Sequence, residues 1–337
     1  MVIIEYVVKI RFIYKGLFIF RFTLVKNWQI GYYMFAMSCT LCPRNCAVNR
    51  RENSGICKTG EILVSRIGKH YWEEPCISGD KGSGAVFFGG CNLHCRFCQN
   101  YDISVKPHGI ELTAERLADV MLYLQDSGAA NVNLVTPAHF SDKIAAALTL
   151  VKPSLKIPVV YNTNSYEKVS ALKRLEGLVD VYLPDLKFYS AEISFDMARA
   201  ADYFEIAVKA IEEMYRQQPK NVYDGSGYVT RGVIIRHLVL PSYTEDSKRI
   251  LDWISNYNKN ACVSIMSQYF PAKLDDKFPQ LNRRLYKREY KNVLEYFYNL
   301  GLSNGYSQDA ESAIADYLPS FSDSDVKDIL REIPFVF

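Results

Sequence analysis

Cysteine is nearly absent from most of this chain. Eight of its nine cysteines fall between Cys39 and Cys98, and the remainder of the 337 residues carries only Cys262. A secreted domain stapled by disulfides spreads its cysteines over a short chain. The clustering here favours metal or cluster ligation in a reducing compartment, and a cytoplasmic location is expected. An excess of one charge is also missing. The formal net charge is +3, too small to imply a nucleic-acid or membrane partner. Although Tyr (24) and Phe (18) are plentiful, basic and aromatic residues do not alternate as in a strand-binding groove. The opening stretch, MVIIEYVVKIRFIYKGLFIFRFTLV, is apolar but broken by Glu5, Lys9, Arg11, Lys15 and Arg21. It therefore lacks the run of about 18 uncharged apolar residues that a spanning helix needs, and it lacks a small-residue cleavage site. Its alternation suits a strand, or translated sequence upstream of a true start at Met34 or Met37. Internal repeats and low-complexity tracts do not stand out.

Apolar residues make up 49% of the chain, enough for a substantial core. From residue 84 onward, short β-rich runs alternate with stretches of helical spacing. Strands are expected at 85–88, 131–136, 158–163, 179–183, 232–240 and 263–268, the last being the final strand. Helices are expected at 113–125 (Thr113 as N-cap), 141–151, 166–175, in one long run from 185 to about 217, and at 244–257 and 287–300. Six strand–helix units in order argue for a parallel sheet covered by helices, either open and doubly wound or an incompletely closed barrel. In both, the residues that follow the strands gather at one rim, where chemistry sits. The expected organisation is an uncertain extension (1–37), a cysteine-rich metal-binding segment without clear periodicity (38–80), the strand–helix body (81–305) and a tail (306–337).

The first strand runs into GGCNLHCRFCQN, which places Cys91, Cys95 and Cys98 on a glycine-freed loop. Thiolates select zinc, copper(I) or iron–sulfur clusters. Three close thiolates can hold three corners of a [4Fe–4S] cluster and leave one iron open, as a catalytic metal requires. The competing reading is a zinc knuckle completed by His94 or Cys76. C-x3-C-x2-C with Phe97 before the third cysteine resembles the signature of the radical S-adenosylmethionine superfamily, and the following Gln99–Asn100 is similar to its glycyl-radical (pyruvate formate-lyase) activating branch. The segments YNTNS (161–165), DLKFY (185–189) and IRHLVLP (235–241) resemble turns of those enzymes. The resemblance implies an α/β fold, a partial (β/α)6 barrel, here with a small N-terminal cysteine-rich appendage. It implies a [4Fe–4S] cluster on Cys91, Cys95 and Cys98 that reductively cleaves S-adenosylmethionine, giving a 5′-deoxyadenosyl radical for hydrogen abstraction. It further implies that Phe97, Asn100, Thr163, Asp185, Lys187 and His237 line the cofactor site. A glycyl-radical enzyme as protein substrate and a flavodoxin or ferredoxin-like electron donor are the implied partners. Departures are Thr136–His139 where a Gly-Gly-Glu turn is usual, Asn162 in place of an aspartate, and Ser242 in place of a glycine.

Cys39, Cys42, Cys46 and Cys57 form a second group, with turns supplied by Pro43 and Gly55. Four thiolates can close a zinc or a cluster site, with a structural or electron-relay role; Cys76 could replace a ligand in either group. Cys262, at a strand start, reads as buried and apolar. His139 is either a ligand-facing residue or a satisfied rim histidine, and His70 and His94 read as local space-fillers. DGSG (224–227) reads as a turn, and Arg283, Arg284, Lys287 and Arg288 as a solvated helix start. Two alternatives to glycyl-radical activation stay open: a radical enzyme with another peptide or small-molecule substrate, and a non-catalytic zinc or iron–sulfur protein.

Overall fold

The computed structural model describes residues 39–50, 52, 54–308 and 320–337. The readings made on residues 1–37, including both alternative starts, lie outside the described residues. Strand β1 (Ile62–His70) leads to β2 (Ser83–Phe88), the short helix α1 (Tyr101–Ser104), β3 (Ile110–Leu112) and α2 (Ala114–Asp126). The chain continues through β4 (Val132–Val135), α3 (Ser141–Val151), β5 (Val159–Thr163), α4 (Val169–Lys173) and β6 (Val181–Pro184). It then forms α5 (Ala191–Ala198), α6 (Tyr203–Gln217), β7 (Val222–Tyr223), β8 (Val229–Leu238) and α7 (Thr244–Tyr257). It ends with β9 (Cys262–Met266), α8 (Lys287–Asn299), β10 (Gly305–Ser307) and α9 (Asp323–Glu332).

The sheet order β10-β9-β8-β6-β5-β4-β2-β1-β3 decides between the two architectures left open by the sequence. From β2 to β10 every neighbouring pair is parallel, and strands follow in chain order without reversal. Right-handed crossovers that always step the same way keep all helices on one face. The fold is therefore a singly wound, partial (β/α)6 barrel, not a doubly wound sheet. Strand alternation sorts the side chains. Val86, Leu134, Tyr161, Tyr182, Ile235 and Ile265 pack in the main core with helix residues such as Leu117, Ile144, Ile211 and Leu251. The other parity points inward, and Val160, Val181, Leu183, Ile234 and Cys262 form a separate small cluster. Cys262 is buried, as its sequence position suggests.

Several boundaries differ from the sequence reading. The segment 38–80 is not a separate appendage throughout, because β1 pairs antiparallel with β2 and β3 and so extends the barrel sheet. The long helix expected up to residue 217 is two helices. Arg199 adopts φ 52° and ends α5 in a left-handed cap. β9 is not the last strand; β10 pairs parallel with it, so the 305/306 boundary cuts a strand. The tail contains α9. Arg116 of α2 donates to the carbonyls of Leu330, Ile333 and Pro334 behind it. Among the described residues, no helix is long and apolar enough to cross a membrane.

Candidate active site

One cleft opens at the C-terminal rim of the barrel, with a volume of about 210 Å³. Cys91, Cys95, Phe97, Cys98 and Asn100 line it from the loop after β2, Thr163 from the end of β5, and Asp185 and Lys187 from the connection after β6. These eight of the nine barrel residues singled out from the sequence thus share a single cavity. His237 does not. On β8 it takes the parity of Ile235, toward the helices, and its ring nitrogens meet Leu186 O at 2.7 Å and Ser247 Oγ at 2.8 Å. Its neighbour Arg236 is the residue that faces inward. Shifting a strand residue by one exchanges the faces, which is the reason the expectation for His237 fails.

Two of the three thiols meet hydrogen-bond donors. Cys91 Sγ receives Leu93 N–H at 3.4 Å and the Asn164 amide at 3.5 Å, while Ser104 Oγ lies 3.3 Å from Cys98 Sγ. Burial pushes the Cys95 and Cys98 thiols up; Cys91 and Cys98 add to the shift at Cys95, and Cys91 adds to that at Cys98. Lys187 opposes it at both positions. Donors aimed at sulfur and a nearby cation favour the thiolate form, and a bound metal relieves the mutual repulsion of neighbouring thiolates. The donor set therefore fits an iron–sulfur group. Among the described residues, no three Cys, His, Asp or Glu side chains stand at single-ion spacing.

Behind the thiols runs a buried ionic chain. Lys187 Nζ is 2.6 Å from Asp185 Oδ2, and Arg236 Nε is 2.9 Å from Asp185 Oδ1. Arg236 continues to Glu73 Oε2 at 2.8 Å and Asn162 Oδ1 at 2.5 Å. Glu73 Oε1 accepts from the Asn133 and Asn162 amides at 3.0 and 3.1 Å. Burial alone would raise the Asp185 carboxyl, but Arg236 and Lys187 outweigh it and hold it below the usual carboxylate range. Burial likewise works against the Lys187 ammonium, and Asp185 and Cys95 more than restore it.

Glu73, Arg236, His70, Trp72 and Gln268 also line the cleft and were not singled out as site residues. An arginine beside a histidine inside a mainly apolar strand (GVIIRHLVL) was the available signal for Arg236, and paired acids after β1 (YWEEPC) for Glu73. His70 packs edge-on against Phe87 with centroids 5.8 Å apart, so it forms part of the cavity wall and does more than fill local space. His139 does not face a ligand. It is buried under the loop with Nε2 2.9 Å from Gly89 O. Thr163 directs its hydroxyl to Glu167 and to Ser165 N–H, which makes it a turn-builder at the rim.

The four-cysteine segment docks against the back of the same loop. Arg44 donates to Asn92 O at 2.7 Å and Ala198 O at 2.8 Å, and stacks over Tyr166. Arg50 reaches His139 O at 2.6 Å. Burial pushes the Cys42 thiol up to about 11, with smaller contributions from Cys46, Cys39 and Cys57 beside it. Gly90, the residue before Cys91, has φ +82°, and a β-carbon there would lie 2.3 Å from Cys57 O.

Two outcomes follow from this packing. Gly90→Ala combines a left-handed backbone with a backbone collision, and its expected cost is about 2–4 kcal/mol. Iron retained after reconstitution should fall several-fold, and unchanged melting and iron content would refute the contact. Glu167 is buried between Tyr161 and Thr163, and burial raises its carboxyl to about 7 despite both hydrogen bonds. A raised acid stabilises the fold fully below its unfolded pKa, and that contribution disappears as pH rises through the folded value. Stability should therefore decline between about pH 4.5 and 7 by on the order of 3 kcal/mol. Glu167→Gln should flatten that decline in melts across this range; an equally steep decline in the variant would exclude Glu167 as its source.

The chain resembles known proteins at three levels. Residues 85–254 match the family model of the radical SAM superfamily. "Uncharacterized protein MJ0674" of Methanocaldococcus jannaschii is 33% identical over 275 residues, covering 79% of this chain and 76% of that protein. Streptococcus suis SuiB bound to S-adenosylmethionine is a structural neighbour at 15% identity and TM-score 0.45, covering 72% of this chain and 51% of SuiB. The chain thus spans about half of SuiB's length. A domain of the pyruvate-formate lyase-activating enzyme from Bacteroides vulgatus aligns at 10% identity and TM-score 0.39, covering 53% of this chain and 99% of that domain. The family-model match runs from β2 to α7 and contains the three cysteines, Asp185, Lys187 and Arg236 of the cleft, and the chain belongs to the radical SAM superfamily.

Proposed function

We propose that Cys91, Cys95 and Cys98 hold the family's [4Fe–4S] cluster, and that S-adenosylmethionine occupies the rest of the cleft between them and the Asp185–Lys187 pair. The observation that carries this reading is that three thiols and a buried acid–base pair line one cavity at the strand C-termini. A cluster held by these three thiolates would supply one electron to the sulfonium, chemistry in which the S–C5′ bond breaks to give methionine and a 5′-deoxyadenosyl radical able to take a hydrogen atom. The residues of the chain do the positioning. Lys187 gives one hydrogen bond to Asp185 and keeps further ammonium donors for the cosubstrate's carboxylate. Arg236 fixes Asp185 from behind. Phe97 lies edge-on against Phe188 and near Tyr269, and so sets the loop's height over the cavity.

The proposed target is a backbone glycine of a partner protein, as in glycyl-radical activation. The Glu73–Arg236–Asp185–Lys187 set balances its own charges, and the cavity mouth is amide-rich through Gln99, Asn100 and Gln268. Primary amides donate and accept as a peptide group does, which suits an uncharged peptide. The same mouth would take a peptide other than a glycyl-radical enzyme. For Cys39, Cys42, Cys46 and Cys57 we propose a closed four-thiolate site, zinc or iron–sulfur, that holds the N-terminal segment against the loop.

Anaerobically reconstituted protein should be brown and, with dithionite and S-adenosylmethionine, yield 5′-deoxyadenosine; Cys95→Ser should abolish product. Product that persists in the variant, or a fourth protein side chain completing the metal centre, would overturn the assignment. Lys187→Met should weaken S-adenosylmethionine binding by about 10- to 100-fold, the loss of a charge-assisted hydrogen bond, with iron content unchanged. Equilibrium dialysis reads the first quantity and iron assay the second. The glycine target requires a glycyl-radical signal in electron paramagnetic resonance with a co-encoded partner. Its absence while 5′-deoxyadenosine still forms would remove the glycine target and leave the cleavage reading standing.

A further inference from the structure

A second cleft, of about 830 Å³, lies on the outer side of the cysteine loop. Leu93 and Cys95 line both it and the inner cavity. The wall between surface and cavity is therefore a single layer of residues, and one of them is a proposed cluster ligand. Gly55 and Ile56, next to Cys46 and Cys57, line the same cleft, and a β-carbon on Gly55 would stand 2.9 Å from Cys46 Sγ. Thus one surface depression touches both cysteine groups.

Its charge is one-sided. Arg44, Lys58, Arg96, Arg199, Lys273 and Lys277 line it against three aspartates, Asp196, Asp275 and Asp276. Two of the aspartates are engaged, Asp275 by Arg96 at 2.9 Å and Asp196 by Lys277 at 2.8 Å. Arg44 spends its hydrogen bonds on backbone carbonyls, which leaves its charge uncompensated. Lys273 lies 4.7 Å over the Tyr101 ring, and Lys58 donates to Val105 O. Exposed Leu274 and Ile56 add apolar contacts among these cations, at 70% and 46% exposure. Six cations against three aspartates leave the lining of this cleft with a formal excess of three positive charges. Such a patch steers an acidic protein and fixes its orientation.

We infer that this cleft is the docking surface for a small acidic one-electron carrier protein, which delivers its electron across the Leu93–Cys95 wall. The inference rests on the cluster assignment for Cys91, Cys95 and Cys98. The step moves one electron and no proton or group: the carrier is oxidised by one electron, and the metal centre behind Cys95 is reduced by the same electron.

The test compares wild type, Lys273→Glu/Lys277→Glu, and a control reversal on α6, Lys209→Glu, all as reconstituted holoenzyme. The probe is a reduced acidic flavodoxin, with dithionite as the small-molecule alternative. For the double variant, the flavodoxin concentration that gives half-maximal 5′-deoxyadenosine formation should rise at least 10-fold. Direct titration on flavin fluorescence should show a matching loss of affinity and a shallower dependence on salt. The dithionite-driven rate should stay within twofold of wild type, and the control should behave as wild type throughout. Equal losses with both reductants, or unchanged flavodoxin affinity at low salt, would overturn the docking surface while leaving the cluster assignment intact. Wild type that makes no 5′-deoxyadenosine even with dithionite would remove both.

Discussion

The guanidinium of Arg236 sits inside the barrel, and the geometry of the site depends on how that charge is accommodated. Burying an isolated ion costs several kcal/mol even after relaxation. Here each nitrogen of the group has a partner: Asp185 on Nε, Glu73 on Nη1 and Asn162 on Nη2. Those partners come from the connection after β6, from the strap after β1 and from β5. Backbone pairing reinforces them, since Asp185 N–H donates to Thr163 O and Leu186 N–H to Arg236 O, both at 2.8 Å. One cation thus ties three strand ends and the strap to a single point. Lys187 inherits its place from Asp185, and the thiol loop faces a rim already fixed.

The ionic chain also sets the electrostatic character of the cavity. Two carboxylates and two cations in series leave little net charge along this side of the cavity. A ligand that carries its own charges then meets directional partners and no uniform field. Asn133, Asn162 and Ser264 share the inward parity with Arg236 and are buried. Polar side chains on this face are what distinguish it from the helix-facing side, where the same strands carry Val, Leu, Ile and Tyr.

Much of this was legible in the sequence where pattern and burial agree. The limits of α3 and α7, at 141–151 and 244–257, match the helical spacing residue for residue, and Thr113 caps α2 by accepting from Arg116 N–H. The three-cysteine loop and the acid–lysine pair were visible because close sequence spacing brings them together. What was missed has identifiable causes. The register slips between Val64 and Arg66, which breaks the two-residue period of β1 and hid it in the cysteine-rich segment. Arg199 ends α5 in a conformation usually given to glycine, so no punctuation marked the break. β10 is three residues long, and α9 buries only Val326. Glu73 reaches Arg236 across 163 positions, a contact that no local pattern encodes. His237 and Arg236 were confused by one residue, the smallest error a strand allows and one that inverts the face.

The loop from Leu93 to Cys98 has to serve two environments at once. Radical chemistry needs a site shielded from water, whereas an electron must come from outside. The backbone meets both needs by a change of hand. His94 takes φ 57°, after which side chains divide between the two sides: His94 and Arg96 toward the outer cleft, Phe97 and Cys98 toward the cavity, and Cys95 on both. The loop is then clamped from each side. Outside, Arg96 N–H donates to Met197 O, and its side chain to Asp196 O and Asp275, while Arg44 holds Asn92 O. Inside, the Asn164 amide bridges Cys91 and Asn92. With both faces tied to rigid elements, the loop separates the inner cavity from the outer cleft by a single layer at Leu93 and Cys95, and under the proposed electron path that thin wall would let an electron pass without opening the cavity on this side.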